Sequence, residues 1–278
     1  MNRFKIVAIG LGLTIVAAVS SLDLLDTNET ASKGLEDFIR GLPENPNDIE
    51  KILETSTLDG ALSEVTNHHL EVLFSSEPFA DALALEIRKN ARVIDNIPES
   101  ELSRFFSDFL MSWSQVKTAQ GIKRLPLDEQ RNFHLSNAKF LTNLSAADCV
   151  AFVQGHTPLN RLESVVKNAS IESDLQVLTN IFALERASIF AELNDSPKYI
   201  PLTEFEKQSA DTAISNVLST KLEQLANGDE LLEAAKFPEN APDNDLCEFV
   251  ILTLETVVEV PGQLGDLVVK RYSEAQES

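Results

Sequence analysis

The sequence predicts an all-α protein, an irregular multi-helix bundle with short loops and one disulfide. Three observations lead there. Apolar residues recur at three- and four-residue spacing through almost every segment after the first twenty or so residues. Breaks of two to six residues, carrying Pro, Asn-Gly or Asp-Ser-Pro, separate those segments. Only one segment, Phe249 to Val260, holds enough β-branched residues to suit a strand. Its length and its neighbours favour a buried helix ending at Pro261-Gly262.

Each element follows from local chemistry. Glu77 to Asn96 carries Phe79, Leu83, Leu85, Ile87 and Val93, and Ile97-Pro98 breaks it. Pro98 is tolerated at a helix start, so Glu99 to Gln120 continues as a helix with Leu102, Phe105, Phe106, Phe109, Leu110, Trp113 and Val116. Pro126 opens the next, through Phe133, Phe140 and Leu141. Ser170 is the expected N-cap of the clearest helix, with Glu172 and Asp174 set against its dipole. Ile171, Leu175, Leu178, Phe182, Ile189 and Leu193 form its stripe, and Asp195-Ser196-Pro197 ends it. Val177, Ile181 and Leu184 widen that stripe, which predicts packing on more than one neighbour. A helix from Thr203 to Ala226 buries Ile214, Val217, Leu218, Leu222 and Leu225 and stops at Asn227-Gly228. Phe237 to Asp245, rich in Pro, Asn and Asp, reads as loop. No period of twenty to fifty residues marks a solenoid.

The first twenty-one residues give an address. Arg3 and Lys5 precede an apolar run from Ile6 to Val19, and Ala18-Val19-Ser20 supplies small residues before the chain turns acidic at Asp23. That order is a secretory signal peptide, and the run is short for a transmembrane span. The expectation is a periplasmic or secreted protein. The alternative is an inner-membrane anchor through residues 6–19. Residues 22–46 then read as a helical lead and linker, and 47–278 as one helical domain or two subdomains divided near residue 145.

With 44 acidic against 23 basic residues, the formal charge of −21 repels nucleic acid and anionic membranes and favours basic partners. It also serves solubility. Cys149 and Cys247 form an even pair, which in an exported protein points to a disulfide, each beside an expected helix start. Closing so long a loop stabilises by about 4–5 kcal/mol in the chain-entropy account. There is no CxxC for redox chemistry.

Catalytic patterns are sparse. Glu64, His68 and Glu71 fall on one helical face beside His69, a candidate metal site if a further ligand comes from elsewhere, although an exposed polar face explains the same spacing. Ser114-Gln-Val-Lys117 and Ser164-Val-Val-Lys167 match S-x-x-K, but no K-T-G accompanies them. No G-x-S-x-G or G-x-x-x-x-G-K occurs, and His134 and His156 stand alone. Between Trp113 and Asn143 the charge reverses, with Lys117, Lys123, Arg124, Arg131 and Lys139 against Asp128 and Glu129. This stretch meets an acidic partner or lipid headgroups, or balances charge within the fold.

The reading is an exported, non-catalytic, acidic helical binding protein of a bacterial envelope, needing no cofactor. An inhibitor or immunity protein against a basic toxin or enzyme fits this profile, with the acidic segment Glu239 to Glu248 (Glu239, Asp243, Asp245 and Glu248) as its contact. Fifteen Phe against two Tyr keep open a lipid- or small-molecule-binding protein, with Phe105, Phe106 and Phe109 lining a pocket. A metal-dependent hydrolase centred on His68 and Glu71 is the third reading.

Overall fold

Helical periodicity carries through the chain as expected. The structure is a computed structural model that describes residues 30–54, 60–154 and 175–275. The signal or anchor segment, Ser164-Lys167, His156 and the Ser170 cap lie outside them. Among the described residues there are thirteen α-helices, one 3-10 turn at Leu42–Glu44 and no strand. In chain order the helices are α1 (Ala31–Gly41), α2 (Pro46–Glu54), α3 (Gly60–Phe74), α4 (Glu77–Lys89), α5 (Ala91–Ile94), α6 (Glu99–Ile122) and α7 (Leu127–Thr142). Then follow α8 (Ala146–Val153), α9 (Leu175–Leu193), α10 (Glu204–Gln224), α11 (Gly228–Lys236), α12 (Asp243–Glu259) and α13 (Gly262–Ala275).

The caps explain several boundaries. Thr203 accepts from the Glu206 amide while Glu206 reaches back to the Thr203 amide, a reciprocal capping box that opens α10. Ser145 caps α8 by accepting from the Asp148 amide. Two boundaries differ from expectation. The helix expected to run from Glu77 to Asn96 ends at Lys89, because the Asn90 side chain donates to the Glu86 carbonyl and satisfies the last turn. The expected loop ends at Pro242, because Pro fixes its own φ and Asp243 and Asp245 suit the first turn of α12. Gly262 at φ +66° makes the corner between α12 and α13, a conformation where any Cβ is strained.

The central element is α9, which packs on α6, α7, α3 and α4. It lies parallel to α6. Arg124 meets Glu192 at 2.9 Å near their C-terminal ends, Gly121 touches Ser188 one turn earlier, and Met111 joins the cluster of Leu178, Ile181 and Phe182. A Cβ on Gly121 would fall 1.8 Å from the Ser188 carbonyl oxygen, so only glycine permits this approach. One apolar cluster unites α1, α2, the end of α3, α4 and α6 around Leu35, Phe79, Leu83, Leu110 and Trp113. Trp113 is core, edge-on to Phe79 at 5.3 Å. A second cluster unites α7, α8, α9 and α12 around Phe140, Leu141, Phe182 and Val250. Inside it Cys149 and Cys247 form a disulfide with Cα atoms 5.9 Å apart, joining α8 to the second turn of α12.

Candidate functional site

Two places gather polar chemistry, one outside and one inside. The outer one is the corner of α11, the 237–242 segment and the start of α12. Asp229, Glu230, Glu233, Glu239, Asp243 and Glu248 are all exposed there, and Asp245 is half-buried. The one cation in residues 228–248, Lys236, pairs with Glu233 at 3.4 Å. Glu248 accepts from the Asn227 amide nitrogen at 3.0 Å, tying α12 to the turn before α11. Phe237 and Leu232 stand half exposed among these carboxylates. Directly behind them Leu246 and Cys247 are buried, so the acidic turn rests on a cross-linked core.

The basic stretch lies elsewhere, and three of its cations, Lys123, Arg124 and Arg131, meet partners within the fold. Arg124 donates to Glu192 at 2.9 Å and reaches Asp195 at 2.7 Å. Arg131 bonds Asp266 at 2.6 Å and the Val258 carbonyl at 3.2 Å. Lys123 sits over the Tyr199 ring at 4.7 Å. Phe105, Phe106 and Phe109 stack along α6 and pack on the first apolar cluster.

The metal candidates on α3 separate. Glu64, His68 and Glu71 share an exposed face, whereas His69 points inward and is 1% exposed. Among the described residues no group of three or more His, Cys, Asp or Glu is placed to hold a metal ion.

His69 belongs to the inner site. Its ring stacks on Phe182 with centroids 4.7 Å apart. The Arg186 guanidinium lies 3.2 Å from Nδ1, and because guanidinium only donates, Nδ1 is the acceptor. Nε2 faces Glu185 Oε2 at 3.9 Å, and Glu185 is also 1% exposed. The distance alone would make this a salt bridge. Burial opposes both charges: it pushes the Glu185 carboxyl well above its usual range, against the pull of Arg186. It also lowers His69 to about 3, with the neighbouring Arg186 charge acting the same way. His69 is therefore neutral in neutral solution, and burial favours the protonated form of Glu185. Glu185 Oε2, Thr66 Oγ1, Ser114 Oγ and Thr118 Oγ1 have no hydrogen-bond partner within the protein. On the register that sets Gly121 beside Ser188, Thr118 lies level with Glu185 and Ser114 one turn earlier, and no hydrogen bond links these hydroxyls to the carboxyl. The Ser114-Lys117 pattern dissolves here, since Ser114 faces inward and Lys117 bonds Gln120.

A second buried imidazole is His134. Its Nε2 lies 3.2 Å from Ser273 Oγ on α13, a pairing that resembles a nucleophile and its base. The resemblance stops at Nδ1, which has no partner to orient the ring or stabilise an imidazolium. Both residues are fully buried, and burial lowers His134 to about 4.

Glu185 and Arg186 are the residues that sequence reasoning missed. A signal existed. The stripe expected on α9 jumps from Phe182 to Ile189, and Glu185 fills the skipped turn on the buried side. Among the described residues no helix is long and apolar enough to cross a membrane. No protein-family model, no curated protein and no solved structure matches the chain.

Proposed function

We propose that the protein is an exported, non-catalytic binding protein of a bacterial envelope that takes a basic protein partner on the acidic α11–α12 corner. The observation that carries this reading is the setting of Asp229, Glu230, Glu239, Asp243 and Glu248. They are solvated, close in sequence, and carried by α11, the 237–242 segment and α12, the last of which the Cys149–Cys247 disulfide joins to α8. Such a field steers a cationic surface into place and speeds its encounter. Phe237 and Leu232 then offer apolar contact at the centre of the charged rim, the arrangement from which interfaces draw most of their affinity. Inhibition or immunity follows where the cationic surface of the partner is its own active-site cleft. The address in residues 1–21 places the encounter outside the cytoplasm.

The test compares the wild-type protein with the charge-reversed variant E239K/D243K/E248K. Both are immobilised and exposed to a periplasmic extract at low ionic strength. The expected result is one basic protein retained by the wild type, lost with the variant, and released in about 0.5 M salt, where the Debye length falls to a few ångströms. Retention that survives the reversal, or retention of no basic protein, overturns the proposal.

A further inference from the structure

Away from the acidic corner, α10 and α13 enclose an open cleft of about 740 Å³. Its wall is one face of α10, where Phe205, Gln208 and Asn216 recur at helical spacing opposite the buried Ala210 and Ile214. From Phe205 to Asn216 this wall runs about 16 Å along the helix. The base is Arg271 of α13, only 9% exposed. Asp211 takes its guanidinium with both carboxylate oxygens, Nε donating at 3.0 Å and Nη2 at 3.4 Å, and Nη1 stays outside the pair. A buried fork gripped in this way presents its donors in one fixed direction. At the other end the Phe205 ring stands 79% exposed.

We propose that this cleft binds a short, uncharged oligosaccharide: Phe205 stacks on one sugar ring, and the Asp211–Arg271 pair, with the Gln208 and Asn216 amides, hydrogen-bonds the ring hydroxyls.

The lining selects that class over others. Charges in the cleft are answered inside it, Arg271 by Asp211 and Lys207 by Glu204 at 2.9 Å. A phosphate or a carboxylate therefore finds no unbalanced cation, and the net charge of −21 repels it from a distance. An acyl chain needs apolar walls, and among the described residues that line the cleft Phe205 is the one apolar side chain. Peptides are taken on a sheet edge or in an apolar or aromatic-lined groove. The described residues hold no strand, and a single ring does not make such a groove.

Sugar chemistry matches what is present. Each hydroxyl both donates and accepts, and neighbouring hydroxyls stand side by side on the ring. Gln208 and Asn216 each place a donor beside an acceptor in one plane, and the Asp211–Arg271 pair does the same with charged groups. The electron-rich face of Phe205 packs on the C–H face of a sugar. The length of the wall suits several linked rings. None of these residues belongs to the acidic corner, so a glycan here and a basic protein there would share no contact.

The experiment titrates the full chain with three neutral tetrasaccharides, the β-1,4-linked N-acetylglucosamine tetramer, cellotetraose and maltotetraose, and follows the amides of α10 by nitrogen-15 correlation spectra. At least one should shift the amides between 205 and 216 saturably, with a Kd of about 1 mM or tighter. Phe205→Ala should weaken that binding about fivefold or more, and Q208A/N216A by a similar factor. All three side chains are exposed, so these variants should keep the wild-type fold, which the rest of the spectrum reports. Inorganic phosphate and tetra-alanine should leave the same amides unmoved. Absence of saturable shifts with all three sugars, wild-type affinity in Phe205→Ala, or an equal response to phosphate or tetra-alanine would overturn the assignment.

Discussion

Glu185 and the trio Glu239, Asp243 and Glu248 carry the same carboxyl group in opposite settings. Glu185 is enclosed by α3, α6 and α9 at 1% exposure, its Oε2 facing a neutral imidazole. The trio stands in water on the α11–α12 corner. Water pays the cost of charge at the corner, so the fold is indifferent to which residues stand there and their arrangement is free to serve a partner. At the joint of α3, α6 and α9 nothing replaces water, so burial weighs against the charged form of each group. Among the described residues two glutamates are buried, Glu36, which Arg40 and Arg88 neutralise, and Glu185, whose Oε2 has no hydrogen-bond partner.

The largest expected effect tests how firmly the corner is braced. Replacing Cys149 and Cys247 by Ala removes a cross-link spanning 98 residues and should lower the unfolding free energy by about 4 kcal/mol in oxidising buffer, measured by urea titration. A loss under about 1 kcal/mol would mean that packing of α8 on α12 alone supports the corner. The next concerns protons inside the fold. Burial keeps His134 neutral, with a folded pKa of about 4 against 6.5 in the unfolded chain. The folded state therefore binds fewer protons, and stability present above about pH 6.5 is lost as pH falls toward 4. His134 alone should contribute a loss on the order of 3 kcal/mol over that window. Comparing urea midpoints of the wild type and H134Q at pH 7 and pH 4 isolates it. Glu185 acts with the opposite sign, because its raised pKa costs stability as pH climbs above its unfolded value of 4.5.

A smaller effect measures how tightly the joint is closed. Gly121→Val drives a side chain against the Ser188 carbonyl and should cost about 2–3 kcal/mol, read as a lower urea midpoint and faster exchange in α6 and α9. The smallest effect belongs to the corner. E239K/D243K/E248K should change the unfolding free energy by no more than about 0.5 kcal/mol, since all three side chains are exposed. A much larger loss would end the contrast between a permissive surface and a constrained interior.

Much of this was legible in the chain. The helices of α6, α7 and α10 follow from their apolar spacing and from Pro98, Pro126 and Thr203 at their starts. The disulfide was an expectation from an even cysteine count in a chain read as exported, and Trp113 was legible as core from its place on an apolar stripe. The break at Asn90 was not, because it depends on which carbonyl the amide side chain finds. Nor was the fate of the basic stretch. Arg124 and Arg131 meet Glu192 and Asp266, partners 68 and 135 residues away.

By itself the sequence determined the helical periods and the excess of negative charge, because each depends on residues near one another or on composition, whereas the meeting of Cys149 and Cys247, 98 residues apart, was decided by the packing of α8 on α12. Tertiary structure alone decided that His69 faces inward while His68 faces water, and that Glu185 meets it. Adjacent residues on a helix differ in direction by about 100°, and which of them is buried depends on where another helix lies. The upward shift of the Glu185 carboxyl follows from that placement, since burial between helices from distant segments raises it against the pull of the adjacent Arg186.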